Sequence, residues 1–193
     1  MFLLTRPSRR DIERFLDRSH GLSLSYGPTG IVKQRPAGDR LDEQVVTIGR
    51  GEGQYERARL ALAGWAHFNI GWVEAFPTQL SIDVGTDVAV LIRHLGFWSL
   101  NGARVLYHVG GTDGRAAFGF AYGTLTNHAE SGEELFEVFI DRQSGDVMYR
   151  IRAVSWPQSA LTRIGQPIVR FLQARFRRDS ADAMRRAISG ARS

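Results

Sequence analysis

The feature that most constrains the fold is a run of six short segments between residues 72 and 155 in which apolar side chains recur at every second position. This period of two is typical of β-strands with one buried face. The links between the segments are short, whereas a parallel crossover needs about a dozen residues or more. We therefore expect antiparallel neighbours, with strands at residues 72–76, 87–94, 101–109, 115–125, 133–140 and 146–155.

One more strand and three helices surround this run. Residues 44–48 are rich in β-branched side chains, which favours a strand. Ser8 is a typical N-cap and predicts a helix that ends before Gly21. Helical spacing of apolar residues predicts further helices at 52–65 and 159–188. The apolar stripe of the last helix comprises Leu161, Ile164, Ile168, Leu172, Phe176, Ala183 and Ala187.

These elements predict the architecture. A seven-stranded antiparallel sheet has one face in water and one face that needs cover, and the terminal helix is the element long enough to cover it. We therefore expect an α+β fold in which a curved antiparallel sheet wraps around a long C-terminal helix, with an extra N-terminal helix. Residues 1–42 are expected to form that helix and a surface connection rich in glycine and proline, and residues 43–193 a single domain.

Composition excludes several kinds of chemistry. The chain has no cysteine, which excludes disulfides, thiolate nucleophiles, zinc ribbons and iron–sulfur clusters. The five histidines lack the spacing of a metal site, so neither a metal nor a cofactor is expected. The longest apolar run, Val88–Ile92, is far shorter than the roughly 20 residues of a membrane helix. We expect a cytoplasmic protein without an inserted segment.

The net charge of +5 is concentrated at the C-terminal end, where residues 158–193 contain eight arginines and two aspartates. The simplest interpretation is the solvated face of an amphipathic helix. The alternative is an anionic partner, either nucleic acid or a membrane surface. We expect only weak, salt-labile binding of nucleic acid and no specific nucleic-acid partner, and the sequence leaves a homodimer open.

Side-chain alternation gives the strand at 115–125 two very different faces. One face is aromatic apart from a threonine, and the other holds only alanine and glycine: Phe118, Phe120, Tyr122 and Thr124 against Ala117, Gly119, Ala121 and Gly123. A face with so little bulk needs a helix, another backbone or a ligand close to it.

The next two strands place charged side chains on both faces. Glu137 lies opposite Arg150, which predicts an ion pair on the water-facing side together with Arg152 and Glu133. Glu134 falls on the apolar face. There it either pairs, for example with an arginine of the terminal helix, or has a raised pKa and a chemical role. Pairing is the favoured interpretation.

One hairpin, residues 119–134, brings together a hydroxyl, an imidazole and three carboxylates. This set fits a general acid–base cluster in which Tyr122, His128 and Glu134 are the candidate catalytic residues. It also fits a buried hydrogen-bond network that fixes a loop, and this second interpretation is favoured.

Motifs spread over nearly the whole chain carry a resemblance to a known family. They are Gly49-Arg50-Gly51 with the helix ending at Trp65, Gly71-Trp72-Val73, Gly85-Thr86, His94 to Trp98 with Asn101 and Arg104, Gly119 to Leu125, His128, Glu130, Gly132-Glu133-Glu134, Ser155 with Pro157, and Arg170 with Gln173 and Phe176. By these motifs the chain resembles the family catalogued as domain of unknown function number nineteen-ninety, itself START-like (helix-grip) in appearance.

The resemblance implies a helix-grip fold, and members of the START-like group often bind lipids, sterols or polyketides. The expected function is therefore binding of an apolar, lipid- or polyketide-like molecule in a hydrophobic pocket between the sheet and the C-terminal helix. One alternative is a cyclase or dehydratase that uses the acid–base residues in the same pocket, and another is an interaction protein that uses the basic helix face. The candidate ligand-binding residues are Trp72, His94, Phe120, Tyr122, Thr124, Glu134, Tyr149 and Leu172.

Overall fold

A single antiparallel sheet is the framework of the computed structural model, which describes residues 1–34, 41–94, 96–111, 116–157 and 166–189. Its strands are β1 Phe2–Leu3, β2 Leu41–Arg50, β3 Val73–Phe76, β4 Asp87–His94, β5 Phe97–Gly110, β6 Ala117–Thr124, β7 Glu130–Ile140 and β8 Asp146–Pro157. Seven of them follow the order β2-β8-β7-β6-β5-β4-β3, and β1 pairs with β5. Each pairing is antiparallel, as the short links predict.

The helical elements of the described residues are α1 Arg9–Ser19, α2 Glu52–Ala63, a 3₁₀ turn Ala66–Phe68 and α3 Gln166–Ser189. Ser8 caps α1 as predicted: its hydroxyl accepts the backbone N–H of Asp11, and the Asp11 carboxylate accepts that of Ser8. Ile12 and Phe15 of α1 then pack on β4 and β5. The N-terminal helix is therefore an additional layer on the sheet.

The inner face of the curved sheet carries the main core, which α2 and α3 cover. In the second half of α3, Ala181, Met184 and Ile188 are almost fully buried and belong to the same core as Tyr149 of β8. The Tyr149 and Ser180 hydroxyls also lie 2.8 Å apart. Each large apolar side chain buried in this way contributes about 1.5–3 kcal/mol. The predicted α+β fold, a curved antiparallel sheet around a C-terminal helix, is confirmed.

Some bounds differ from those predicted. The strand β1 has no counterpart in the sequence prediction, because two residues are too few to show a period. Ala187, predicted on the apolar stripe of the last helix, is exposed, because Ile188 takes the inward position in the final turn. The predicted start of that helix, including Leu161 and Ile164, lies outside the described residues, as does the side chain of Ile168. The predicted domain boundary at residue 42 stays a prediction.

On the outer face, the connection between α1 and β2 covers the small side chains of β6. Val32 is fully buried and packs in one cluster with Ala121. A Cβ atom added to Gly123 would lie 2.5 Å from the Tyr26 hydroxyl oxygen. The close approach predicted for the alanine and glycine face is therefore made by the chain itself, on the side of the sheet opposite α3.

Glu133 lies beneath this connection, and the prediction that it faces water is wrong. Its exposure is 2%. Its carboxylate accepts hydrogen bonds from the Tyr26 hydroxyl at 2.7 Å, the Gly30 backbone N–H at 2.8 Å and the Tyr107 hydroxyl. Alternation places Glu133 on the outer face, but the cover comes from a segment more than 100 residues earlier in the chain.

The rest of the predicted outer-face ion pairing is partly confirmed. Arg150 pairs with Glu137 at 2.9 Å, as predicted. Arg152 instead pairs with Glu43 of β2 at 3.0 Å. The reason is that β2 pairs with β8 at the edge of the sheet and places Glu43 directly opposite Arg152.

Candidate functional site

A cavity of about 200 Å³ lies between the inner face of the sheet and the first half of α3. Leu172 and Phe176 in that half are only partly buried, whereas the inward residues of the second half are buried. The first half therefore does not close against the sheet, and the gap remains between them. The walls are mainly apolar. Their apolar members are Phe2, Phe68, Trp72, Val73, Val90, Ile92, Leu172 and Phe176.

Trp72 fixes one side of the cavity to α3. Its indole N–H donates to the Asp179 carboxylate at 2.9 Å. The guanidinium of Arg175 lies 4.6 Å from the centre of the indole ring and 3.3 Å from the same carboxylate. The hydrogen bond and the cation–π contact together hold the indole ring against α3.

Glu134 and Tyr122 form a hydrogen-bonded pair in the cavity lining. The pairing of β6 with β7 places them directly opposite each other, and the tyrosine hydroxyl donates to Glu134 Oε2 at 2.6 Å. Burial raises the pKa of Glu134 to about 7, and the hydrogen bond from Tyr122 and the charge of Arg177 only partly oppose this. Among the described residues Glu134 forms no ion pair with an arginine, since Arg177 pairs with Asp42 at 3.4 Å.

A second polar group ties α3 to the sheet. The Gln173 side-chain amide donates to Glu130 Oε2 at 3.3 Å and to the Ser155 hydroxyl at 3.0 Å. Nearby, His128 Nδ1 accepts the backbone N–H of Glu130 at 3.0 Å. Burial lowers the pKa of His128 to about 4, so its imidazole is neutral at pH 7.

Other polar residues of the lining form hydrogen bonds with backbone groups. The Thr124 hydroxyl accepts the backbone N–H of Gly132 at 2.8 Å, and Asn101 Oδ1 accepts that of Ala129 at 3.2 Å. These bonds fix the chain between β6 and β7. The buried network that the sequence favours is thus present around the hairpin, while Tyr122 and Glu134 bond to each other.

Most of the sequence-predicted site residues line the cavity, namely Trp72, His94, Tyr122, Thr124, His128, Glu134 and Leu172. Phe120 and Tyr149 do not line it, because both are fully buried in the core. They share the inward face of their strands with the lining residues, and alternation alone cannot separate core from cavity. Sequence reasoning did not place Phe68, Asn101 or Arg177 in the site. Two of them had a signal in the sequence: Asn101 belongs to the motifs that carry the family resemblance, and Arg177 directly follows Phe176 of the apolar stripe.

Two negative findings apply to the described residues. None of their helices combines the length and apolar character needed to span a bilayer. Nor do three or more histidine, aspartate or glutamate side chains there converge as a metal-ion site.

A curved antiparallel sheet closed around a C-terminal helix places the chain in the START-like, helix-grip class of folds. Within that class the chain belongs to the family described as "Domain of unknown function (DUF1990)", whose model matches residues 25–183.

Relatives of nearly equal length occur in distant organisms. A UPF0548 protein of Dictyostelium discoideum is 30% identical over 97% of this chain and 96% of its own length. A UPF0548 protein of Deinococcus radiodurans is 34% identical over 97% of this chain and 98% of its own length. Among solved structures, TTHA0849 of Thermus thermophilus matches with a TM-score of 0.53 at 9% identity, over 79% of this chain and 98% of its own. That likeness concerns the fold alone.

Proposed function

We propose that the protein binds a small apolar molecule in the cavity between the sheet and α3. The observation that carries this proposal is the cavity itself, about 200 Å³ with mainly apolar walls. An apolar cavity of about 150 Å³ is known to hold benzene. A substituted ring or a chain of about eight carbons is therefore the right size here.

The lining offers such a ligand both aromatic and polar surface. Phe68, Trp72 and Phe176 supply aromatic surface for an apolar body. Tyr122 and Glu134 supply polar atoms with which a single head group can form a hydrogen bond. A few polar groups in an otherwise apolar wall are typical of small-molecule sites.

Titration with 1-octanol, followed by two-dimensional NMR, tests the proposal. Resonances of cavity residues, above all the Trp72 indole N–H, should shift with saturation, and native mass spectrometry should detect apolar compounds that co-purify. The variant Ala153→Phe places a ring in the lining and should abolish the shifts. Ala187→Phe adds the same ring on exposed α3 and should leave them intact. Equal titrations for both variants would exclude the cavity as the site.

A second candidate is an enzyme that moves protons in the same cavity, using Tyr122, Glu134 and His128. The pKa of about 7 for Glu134 supports it, because a general acid or base works best with a pKa near the ambient pH. If Glu134 transfers a proton, protein carrying Glu134→Gln should accumulate unconverted substrate. For a dehydratase, native mass spectrometry would then find a co-purifying compound that is heavier by one water than that of the wild type. Equal masses would count against dehydration in the cavity.

The basic face of α3 supports the solvated-face interpretation rather than an anionic partner. Arg175 and Arg178 both pair with Asp179, and Arg185 pairs with Asp182 at 2.8 Å. Guanidinium groups already paired with carboxylates offer less charge to phosphates. We therefore propose no specific nucleic-acid partner.

A further inference from the structure

The cavity lining contains a carboxylate, that of Glu134, whose negative charge no ion pair with a described residue balances. Glu134 accepts one hydrogen bond from the described residues, through Oε2, and its side chain lines the cavity. Arg177 lines the same cavity, but its guanidinium pairs with Asp42 outside it. Both lining histidines have their pKa lowered by burial, so neither His94 nor His128 brings a positive charge at neutral pH.

Building on the proposed binding function, we infer that the ligand carries a protonated amine, which pairs with the Glu134 carboxylate while its apolar body occupies the rest of the cavity. The ligand class is therefore an apolar amine, and not a fatty acid or another anion.

Electrostatics in a site with mainly apolar walls favour this class. A carboxylate head would meet the like charge of Glu134, and the guanidinium of Arg177 is already paired with Asp42. A neutral alcohol would form an ordinary hydrogen bond. An ammonium group forms a charge-assisted bond, which is roughly twice as strong, and low surrounding polarity strengthens it further.

The described part of the chain gives the Glu134 side chain no ion pair. Among the residues that the structure describes, the groups that face it are Tyr122, Tyr149, Arg177 and Glu130, and of these four only Arg177 is cationic. A bound ammonium would return the pKa of Glu134 toward its ordinary range, because it favours the charged form of the carboxyl. By linkage, the amine must then bind more tightly as the pH rises through about 7.

The experiment compares octylamine, 1-octanol and octanoate, which differ only in the head group, by NMR titration of the full chain at pH 8. Octylamine should bind at least about tenfold more tightly than octanol, and octanoate most weakly. With Glu134→Gln the preference for the amine over octanol should fall below about twofold. Glu137→Gln, which removes a carboxylate from the outer face of the same strand, should keep the preference.

The pH dependence is the second readout. Octylamine stays protonated like a lysine, whereas Glu134 goes from about one-tenth to about nine-tenths ionised between pH 6 and pH 8. The affinity of the protein for octylamine should therefore rise about ninefold from pH 6 to pH 8, while the affinity for octanol should stay constant.

The outcomes separate this inference from the proposed function. Equal binding of the amine and the alcohol, or a preference that survives Glu134→Gln, overturns the amine assignment and leaves the binding function standing. Failure of octanol and octylamine alike to move any cavity resonance overturns both.

Discussion

Glu133 and Glu134 are neighbours in β7, yet they lie in opposite environments. Glu133, on the outer face, accepts three hydrogen bonds and is almost completely covered. Glu134, on the inner face, accepts one hydrogen bond among the described residues and lines a cavity. A carboxylate with a full set of donors holds a structure together, whereas one with spare acceptor capacity beside a cavity has room for a ligand.

The two faces of the sheet show the same contrast on a larger scale. Outside, Val32 and Tyr26 fill the space over Ala121 and Gly123, so that the small side chains are covered by the chain's own connection. Inside, α3 packs closely through its second half and leaves a gap beside Leu172 in its first half. The alanine and glycine of β6 are thus covered on the outer face, whereas the inner face keeps a cavity beside α3.

Replacement of Glu133 should give the largest effect. In Glu133→Gln the amide keeps one acceptor oxygen but turns an N–H₂ toward donors that need an acceptor. We expect a loss of about 3 kcal/mol in the free energy of unfolding, measured by urea denaturation, because buried donors are left unsatisfied. Tyr26→Phe removes a single donor and should cost less. A Glu133→Gln variant as stable as the wild type would abolish the contrast between the two carboxylates.

The second-largest expected effect is on the pH dependence of stability, and it concerns Glu134. The pKa of Glu134 is raised from 4.5 to about 7 in the folded state, so its contribution to stability is fully present below pH 4.5 and is lost as the pH rises toward 7. Glu134→Gln removes this titration. Relative to the wild type, the variant should therefore gain about 2 kcal/mol in unfolding free energy between pH 5 and pH 8.

Urea midpoints at the two pH values measure this gain. Tyr122→Phe is the matched variant, because it removes the hydrogen bond that favours the Glu134 carboxylate and should move the pH window upward. A difference between Glu134→Gln and the wild type that stays the same at both pH values would show that Glu134 does not titrate in this range.

Local patterns were enough to predict most of the fold. The turn at 141–145 pairs β7 with β8 in the predicted register, so that Glu137 lies opposite Arg150. Ser8 caps its helix for reasons contained within four residues. Short-range hydrogen bonds and the period of two act within a few positions of each other, and a sequence displays such information directly.

The cover of each face was not predictable in this way. Alternation places Glu133 outside and Glu134 inside correctly, but a face is wet or buried according to what packs on it. For Glu133 that cover is Tyr26 and Gly30, far away in the chain. The cavity likewise depends on where α3 stands away from the sheet, and Phe120 and Leu172 look equally apolar in the sequence although only Leu172 lines it.

The smallest expected effect is a difference in how salt changes the stability cost of replacing the two outer-face carboxylates, Glu133 and Glu137. Glu137 pairs with Arg150 at 2.9 Å, and their side chains are 13% and 26% exposed. Arg150 keeps Glu43 at 3.4 Å and the ring of Phe139 at 4.7 Å when Glu137 is replaced. Glu137→Gln should therefore cost only about 0.5–1 kcal/mol, and less at about 1 M salt, where the screening length falls to about 3 Å. The loss of unfolding free energy caused by Glu133→Gln should not change with salt, because the partners of Glu133 are neutral hydroxyl and amide donors. If salt reduced this loss as much as it reduces the loss in Glu137→Gln, ionic attraction and not hydrogen bonding would hold Glu133.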